Sequence, residues 1–300
     1  MNYFIGALLC ALCISFPLYS FASQSIITES EGTVCLSEGK TREVTEERAI
    51  AAAQKNALRQ AAEYVKREIG NAKMASRLQE QSAETSVKVV RELQKEWISE
   101  FSDECFKIAI QAEVVPDQKA SSIATRGIKI VDASLGSLSV KLWTDKSEYR
   151  EGEKVTINLK GNKPFYARVV YKDAGGNIVQ LLPNPYRSDN FFMGNTTLQI
   201  PSDGDRFELE VGAPFGQEEI VVYASTAELG DIDVKPAGGV YEVQLAFADV
   251  GHKTRGLGGM RTMASAPTTQ PKAVAAKVER PKKVVTAEFS ESKVTIRTRK

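Results

Sequence analysis

The sequence predicts an α+β protein, in which a small α+β N-terminal domain is followed by an antiparallel β-sandwich domain. Within Leu138–Thr226, apolar and polar residues alternate in several runs, which is the period of a half-buried strand. Gly, Pro, Asn and Asp separate these runs at the spacing typical of a sandwich. Ahead of them, Thr45–Ile69 has the apolar spacing of a helix and lies between two further strand-like runs. These patterns divide the chain into a mixed half and a β half.

The first 22 residues predict a signal peptide. Tyr3–Phe16 is apolar, and Ser20–Ala22 supplies the small residues of a signal-peptidase site, so we expect cleavage before Ser23. An uncleaved N-terminal membrane anchor is the alternative, because Tyr3–Ala22 is just long enough to span a bilayer. A periplasmic or secreted protein is therefore expected.

Export determines how the cysteines are interpreted. Cys10 and Cys13 leave with the signal peptide, so the mature chain keeps Cys35 and Cys105. Two cysteines in an oxidising compartment predict a disulfide. Two buried free thiols are the alternative.

The N-terminal domain is expected over residues 23–115. Ser30–Cys35 predicts an opening strand, and Phe106–Val114 alternates as a closing strand. Between them Thr45–Ile69 predicts a helix with Thr45 as its cap. Ala72–Leu93 is more polar, and its pattern fits either a helix or an ordered excursion. A polar linker at 116–134 ends this domain.

The β-sandwich domain is expected over residues 135–250. A glycine-rich turn at Asp173–Asn177 predicts a hairpin between its two flanking strands. The predicted strands of this domain are Leu138–Trp143, Lys154–Lys160, Ala167–Tyr171, Ile178–Leu182, Arg206–Val211, Glu219–Ala224 and Val240–Phe247.

The C-terminal region is basic. From His252 to Lys300 the formal charge is +9, against −8 for the rest of the chain. Residues 251–290 predict a disordered basic linker, and residues 291–300 alternate again, which predicts a terminal strand that returns to the sandwich. The charge fits either a solvated linker or attraction to an anionic envelope surface. Nucleic acid is not expected as a partner of an exported protein.

Two regions resemble known families. Leu142–Asp145, Tyr149–Glu153, Gln180–Asn184 and Pro214–Gly216 occur in order within 135–230. They resemble a bacterial domain of unknown function that is appended to Ser/Thr kinases, caspase-like peptidases and envelope proteins. That resemblance implies a β-rich accessory module without an agreed activity.

The second resemblance covers residues 25–115. The alanine-rich run Ala49–Leu58 and the strand end Ala112–Val114 are similar to the N-terminal domain of flagellar assembly protein T and related envelope lipoproteins. This similarity implies a fold and a compartment. The chain departs from the lipoproteins because leucine precedes both Cys10 and Cys13, where a lipidation signal needs a small residue.

Residue types with catalytic or metal-binding chemistry are scarce. His252 is the single histidine, which excludes a histidine-based metal cluster and disfavours a Ser-His-Asp site. We therefore expect no cofactor and no enzymatic activity. The sequence does not exclude a catalytic pair of carboxylates, because the two residues of such a pair can come from strands that are distant in sequence.

One loop is the candidate binding surface. It places large apolar residues among polar ones, a pattern that fits either a partner-binding patch or a plug at one end of the sandwich. The candidate partner-binding residues are Pro183, Asn184, Tyr186, Phe191, Phe192 and Met193. We expect a non-catalytic exported cell-envelope protein that binds or assembles with an envelope protein or peptide. The alternative is a cell-wall or glycan-directed hydrolase with a carboxylate pair.

Overall fold

The computed structural model describes residues 23–100, 103–116, 136–202, 205, 207–256 and 285–300. The predicted signal peptide and residues 117–134 of the predicted linker at 116–134 lie outside these ranges. The helices are α1 (Arg42–Arg67), α2 (Ala72–Glu80), α3 (Ala83–Ser86) and α4 (Phe247–Thr254). The strands are β1 (Ser23–Cys35), β2 (Val87–Glu100), β3 (Asp103–Val114), β4 (Val140–Thr144), β5 (Glu148–Arg150), β6 (Ile157–Gly161), β7 (Phe165–Lys172), β8 (Ile178–Leu182), β9 (Phe191–Phe192), β10 (Leu198–Ile200), β11 (Gln217–Ser225), β12 (Val234–Ala237), β13 (Val240–Val243) and β14 (Thr286–Arg299).

The described strands form two sheets. The larger has 11 strands in the order β12-β13-β8-β7-β11-β14-β1-β3-β2, with β5 beside β14 and β9 beside β7. The smaller has the order β10-β6-β4. All pairs are antiparallel except β14 with β5. The protein is therefore mostly antiparallel β-sheet, with the long helices near its N-terminus.

Helix α1 packs closely on β1 and β3. Five of its alanines are fully buried, namely Ala49, Ala53, Ala57, Ala61 and Ala62, and their small side chains let the helix backbone approach the sheet. Gly32 on β1 marks the closest approach, because a Cβ there would lie 2.1 Å from the carbonyl oxygen of Ala49. The small α+β part expected near the N-terminus is present in this form.

The start of α1 differs from the prediction. Thr41, not Thr45, is the N-cap, and its hydroxyl accepts the Val44 N–H at 3.3 Å. Thr45 is buried inside the helix, where its own hydroxyl donates to the Thr41 carbonyl. The acidic residues that suggested a first turn at 45 therefore lie one turn inside the helix.

The ambiguous stretch after α1 contains two short helices and then strand β2. This strand pairs with β3 along its length and carries register shifts between Val89 and Arg91 and between Glu92 and Gln94. Each shift is a bulge that breaks the two-residue alternation. Regular alternation was the signal on which strand prediction relied, so β2 was missed.

In the β half, the two sheets share one core. It combines Leu142 and Leu159 of the small sheet with Val169, Leu182 and Ile220 of the large sheet. A second core lies on the other face of the large sheet and includes Val250 of α4.

Two predicted strands of the β half differ from the structure. Residues 207–211 form no strand, although Glu210 makes an isolated bridge with Lys154; Arg206 lies outside the described residues. The strand predicted at Val240–Phe247 ends at Val243. The chain then enters α4, so residues 251–254 of the predicted linker are helical.

The terminal strand is longer than predicted, because it begins at Thr286 and not at Glu291. β14 pairs with β11 from Phe289 to Arg297 and with β1 from Thr286 to Glu291. It therefore lies between the two halves of the sheet and not at an open edge. Within the described residues, no helix combines the length and apolar character that a membrane crossing requires.

Buried charges hold β14 in place. The Glu288 carboxylate accepts from Lys163 Nζ at 2.9 and 3.1 Å, from Tyr64 Oη at 3.2 Å and from the Leu138 N–H. Tyr64 belongs to α1 and Lys163 to the β6–β7 connection, so one carboxylate joins both halves. Burial, and then the negative charge of Glu288, raise the pKa of Tyr64 to about 12.

A second ionic contact lies on the opposite face of β14. Arg255 donates from Nε to Glu113 at 2.8 Å and from Nη2 to Glu291 at 2.7 Å. Its guanidinium lies 4.8 Å from the ring centre of Phe289. The segment after α4 is thereby fixed to β3 and β14 together.

Candidate functional site

The β half contains a cleft of about 260 Å³. Apolar side chains from β6, β7, β8, β11, β13 and β14 form its walls, among them Ile157, Leu181, Ile220, Val240 and Ile296. The cleft reaches from the small sheet to the large one, so it requires both layers.

Residues 207–211 form one wall of the cleft. Phe207 and Leu209 are half-buried, whereas Glu208 and Glu210 are exposed. Backbone hydrogen bonds hold the segment, for example from the Val155 N–H to the Leu209 carbonyl at 2.8 Å. Apolar and polar residues do alternate in this segment, as the strand prediction assumed. The segment lines the cleft, however, and does not extend a sheet.

One carboxylate lies buried against the cleft. Glu218 is 3% exposed and lines the cavity. Its Oε2 accepts from Tyr171 Oη at 2.7 Å, and its Oε1 accepts from Thr298 Oγ1 at 2.7 Å. Burial, together with this hydrogen bond, raises the pKa of Tyr171 well above its ordinary value. Both donors are neutral hydroxyls, so they hold the carboxylate without neutralising a charge.

Sequence reasoning missed Glu218 as a site residue. The sequence does contain a signal for this position. Glu218 lies two, four and six residues before Ile220, Val222 and Ala224, so it is on the same face of the strand, and all three face the core. A glutamate on the inward face of a central strand is unusual, since acidic residues are seldom fully buried. The predicted strand begins at Glu219, two residues after the observed start of β11 at Gln217, and so leaves Glu218 out.

Three of the predicted partner-binding residues are exposed. Tyr186 is 55%, Phe191 is 40% and Met193 is 72% exposed. Large apolar side chains with this much exposure fit a contact surface. Partner binding at these positions stays a prediction.

The other three shape the loop. Asn184 is buried, and its side chain accepts the N–H groups of Tyr186 and Arg187 and donates to the Leu181 carbonyl. Phe192 is half-buried, with its ring 5.5 Å from that of Phe165. Pro183 is half-buried, and its carbonyl accepts from Gln180 at 2.8 Å. These contacts are those of a structural plug.

Tyr186 lies next to the cleft, whereas Phe191 packs elsewhere. The Tyr186 ring rests on the turn between β12 and β13, where a Cβ on Gly239 would lie 2.7 Å from the ring. Gly238 in the same turn lines the cleft. The Phe191 ring instead packs against that of Tyr166 in a tilted arrangement, with 4.9 Å between the ring centres, beside the second core. Tyr186 is thus the predicted residue that the fold brings to the cleft rim.

The predicted disulfide is confirmed. Cys35 and Cys105 stand directly opposite each other in the β1–β3 pair, and their Sγ atoms are bonded. His252, the single histidine, is exposed in the last turn of α4. Among the described residues, no three His, Cys, Asp or Glu side chains come together as a metal-binding group.

The comparisons with known proteins bear on the β half. No curated protein and no solved structure matches the chain. The resemblance of residues 25–115 to a flagellar assembly protein stays a prediction. Residues 148–228 match the model of a domain of unknown function, DUF4384, so the β half carries a region similar to that family, with Tyr171, Tyr186 and Glu218 inside it.

Proposed function

We propose that this chain is a non-catalytic, exported cell-envelope protein whose β half, arranged as a β-sandwich, binds a partner protein or peptide. The observation that carries the proposal is the open, apolar-walled cleft with the exposed Tyr186 at its rim. Concave apolar surfaces with a few fixed polar groups are the usual form of binding sites. Exposed tyrosines beside such pockets are frequent anchors in protein interfaces.

The compartment rests on the cysteines and the N-terminal sequence. The Cys35–Cys105 disulfide supports an oxidising environment, where such bonds persist. Removal of residues 1–22 before Ser23 would leave β1 as the start of the mature chain. We propose the periplasm or the cell exterior as its location. The basic region from His252 onward provides a second contact, to an anionic envelope surface.

Site-specific photo-crosslinking tests the binding proposal. A benzoyl-phenylalanine in place of Tyr186 is expected to capture a partner in envelope fractions. Glu63 is the matched control position, because its side chain is 56% exposed on α1, far along the chain from the cleft. Val240→Trp, which fills the cleft, should abolish the crosslinked product formed from position 186. Equal yields at both positions, or yields that Val240→Trp leaves unchanged, would contradict the proposal.

A hydrolase with a carboxylate pair is the second candidate. The observation that favours it is that three glutamates line the cleft, namely Glu208, Glu210 and Glu218. A carboxylate pair on either side of a glycosidic bond is the usual apparatus of glycan hydrolysis. Release of reducing ends from purified cell-wall glycan, lost in both Glu218→Gln and Glu210→Gln, would establish this candidate in place of the first.

A further inference from the structure

The buried Glu218 has unused acceptor capacity. A carboxylate offers about four lone-pair sites, and Tyr171 and Thr298 each occupy one of them. Among the described residues that line the cleft there is no lysine or arginine. A buried carboxylate without a cationic partner is costly, and a ligand cation would offset that cost.

The remaining charge of the cleft has the same sign. Glu208 and Glu210 lie along the wall at residues 207–211, and the nearby Lys154 is engaged with Glu208 at 2.7 Å. Apolar walls weaken the screening of charge by water, so a charge on the buried Glu218 acts more strongly on a ligand than it would on an open surface. The cleft therefore combines apolar walls with one buried carboxylate and two exposed carboxylates at its wall.

We propose that the cleft selects a primary ammonium on an aliphatic stem, as carried by a lysine side chain of a partner peptide. The methylene stem packs on Leu181, Val240 and Ile296, and the ammonium donates to Glu218. An ammonium has three donors and a carboxylate accepts them as charge-assisted hydrogen bonds, which are stronger than neutral ones. This inference rests on the proposed binding function and names its ligand class.

Three small probes test the selection on the full chain: n-hexylammonium, n-hexanol and n-hexanoate. Their stems are equal and their head groups are cationic, neutral and anionic. Methyl NMR signals of Leu181, Ile220 and Val240 report entry into the cleft. We expect hexylammonium to bind at least about tenfold more tightly than hexanol, equivalent to one charge-assisted hydrogen bond. Hexanoate should leave the signals unchanged.

Two variants assign the preference to one carboxylate. Glu218→Gln keeps the shape and removes the charge, so it should bind hexanol as before and lose the preference for hexylammonium. Glu219→Gln is the matched control, because Glu219 is the next residue on the strand and pairs with Lys293 at 2.8 Å instead. It should keep the preference.

Tyr171→Phe tests the same idea without removing the carboxylate. It frees one lone-pair site of Glu218, so hexylammonium should bind at least as tightly as to the natural chain.

The outcomes separate the two levels of the proposal. Equal affinity for hexylammonium and hexanol would overturn the cation selection and leave an apolar binding cleft. A preference that persists in Glu218→Gln would overturn the role of Glu218. Failure of all three probes to move the methyl signals would overturn the selection, whereas crosslinking at Tyr186 tests the proposed binding function separately.

Discussion

Glu288→Ala should destabilise the whole chain, because this carboxylate joins both halves. Glu288 has a side chain that is 5% exposed, and its partner Lys163 is 17% exposed. Removal of one member of a buried ion pair leaves the other charged and desolvated, which costs about 3–5 kcal/mol. The residual exposure of Lys163 places the expected loss at about 3 kcal/mol, because water can partly solvate the ammonium.

Urea unfolding followed by circular dichroism measures this loss. With a slope of about 3 kcal/mol per M, a loss of about 3 kcal/mol lowers the midpoint by about 1 M. Glu31→Ala is the control, since its ion pair with Lys107 is 57% and 37% exposed and such pairs contribute about 0–1 kcal/mol. The double variant with Lys163→Met should cost less than the sum of the single changes. If Glu288→Ala lowered the free energy of unfolding by no more than Glu31→Ala does, the reasoning would be refuted.

Three further predictions concern the N-terminal half. Replacement of Cys35 and Cys105 by serine opens a loop with a sequence separation of 70, so unfolding in urea should show a loss of up to about 4 kcal/mol. Gly32→Ala should lower the melting temperature through a loss of about 1–3 kcal/mol, since its Cβ meets the α1 backbone. The pKa of Tyr64, raised from 10.0 to about 12, means that its protonated form is favoured in the folded protein. The stabilisation of the folded state by the protonated Tyr64 hydroxyl should be fully present below pH 10 and lost as the pH rises towards 12. Glu288→Gln should lower the pKa of Tyr64 in an ultraviolet titration.

Much of the β half follows from local alternation. Leu138–Trp143 and Lys154–Lys160 overlap β4 and β6, and the turn at Asp173–Asn177 joins β7 to β8 as predicted. A strand with one buried face repeats every two residues, and glycine-rich turns mark its ends. These signals lie within a few residues of each other, so the sequence alone contains them.

The elements that were missed depend on distant partners. β2 is an edge strand whose residues from Lys88 to Glu96 are largely exposed, and its bulges remove the regular period. Residues 207–211 alternate like a strand, yet pairing with the neighbouring segment is limited to one bridge. Whether alternating residues become a strand depends on a partner backbone, which no local pattern supplies.

The candidate site shows the same limit. Its walls come from six strands, and the two donors to Glu218 lie 47 and 80 residues away in sequence. The sequence does not distinguish Tyr186, Asn184 and Phe192 as candidates in one loop. In the structure Tyr186 is exposed, whereas Asn184 is buried and Phe192 is half-buried. Residue type alone does not distinguish an anchor for a partner from a plug for the core.

The last strand of the chain links the cleft to the junction of the two halves. Ile296 lines the cleft and Thr298 holds Glu218, while Glu288 on the same strand accepts from Tyr64 and Lys163. The cleft is therefore complete when β14 is paired with β11, which places Ile296 beside Glu218. If a ligand binds only this complete form, its binding stabilises the pairing of β14 with β11. The pairing strengthens ligand binding by the same free energy, because coupling between two equilibria is reciprocal. A ligand in the cleft would therefore strengthen the β11–β14 pair, and β14 is the strand that also pairs with β1 of the N-terminal half.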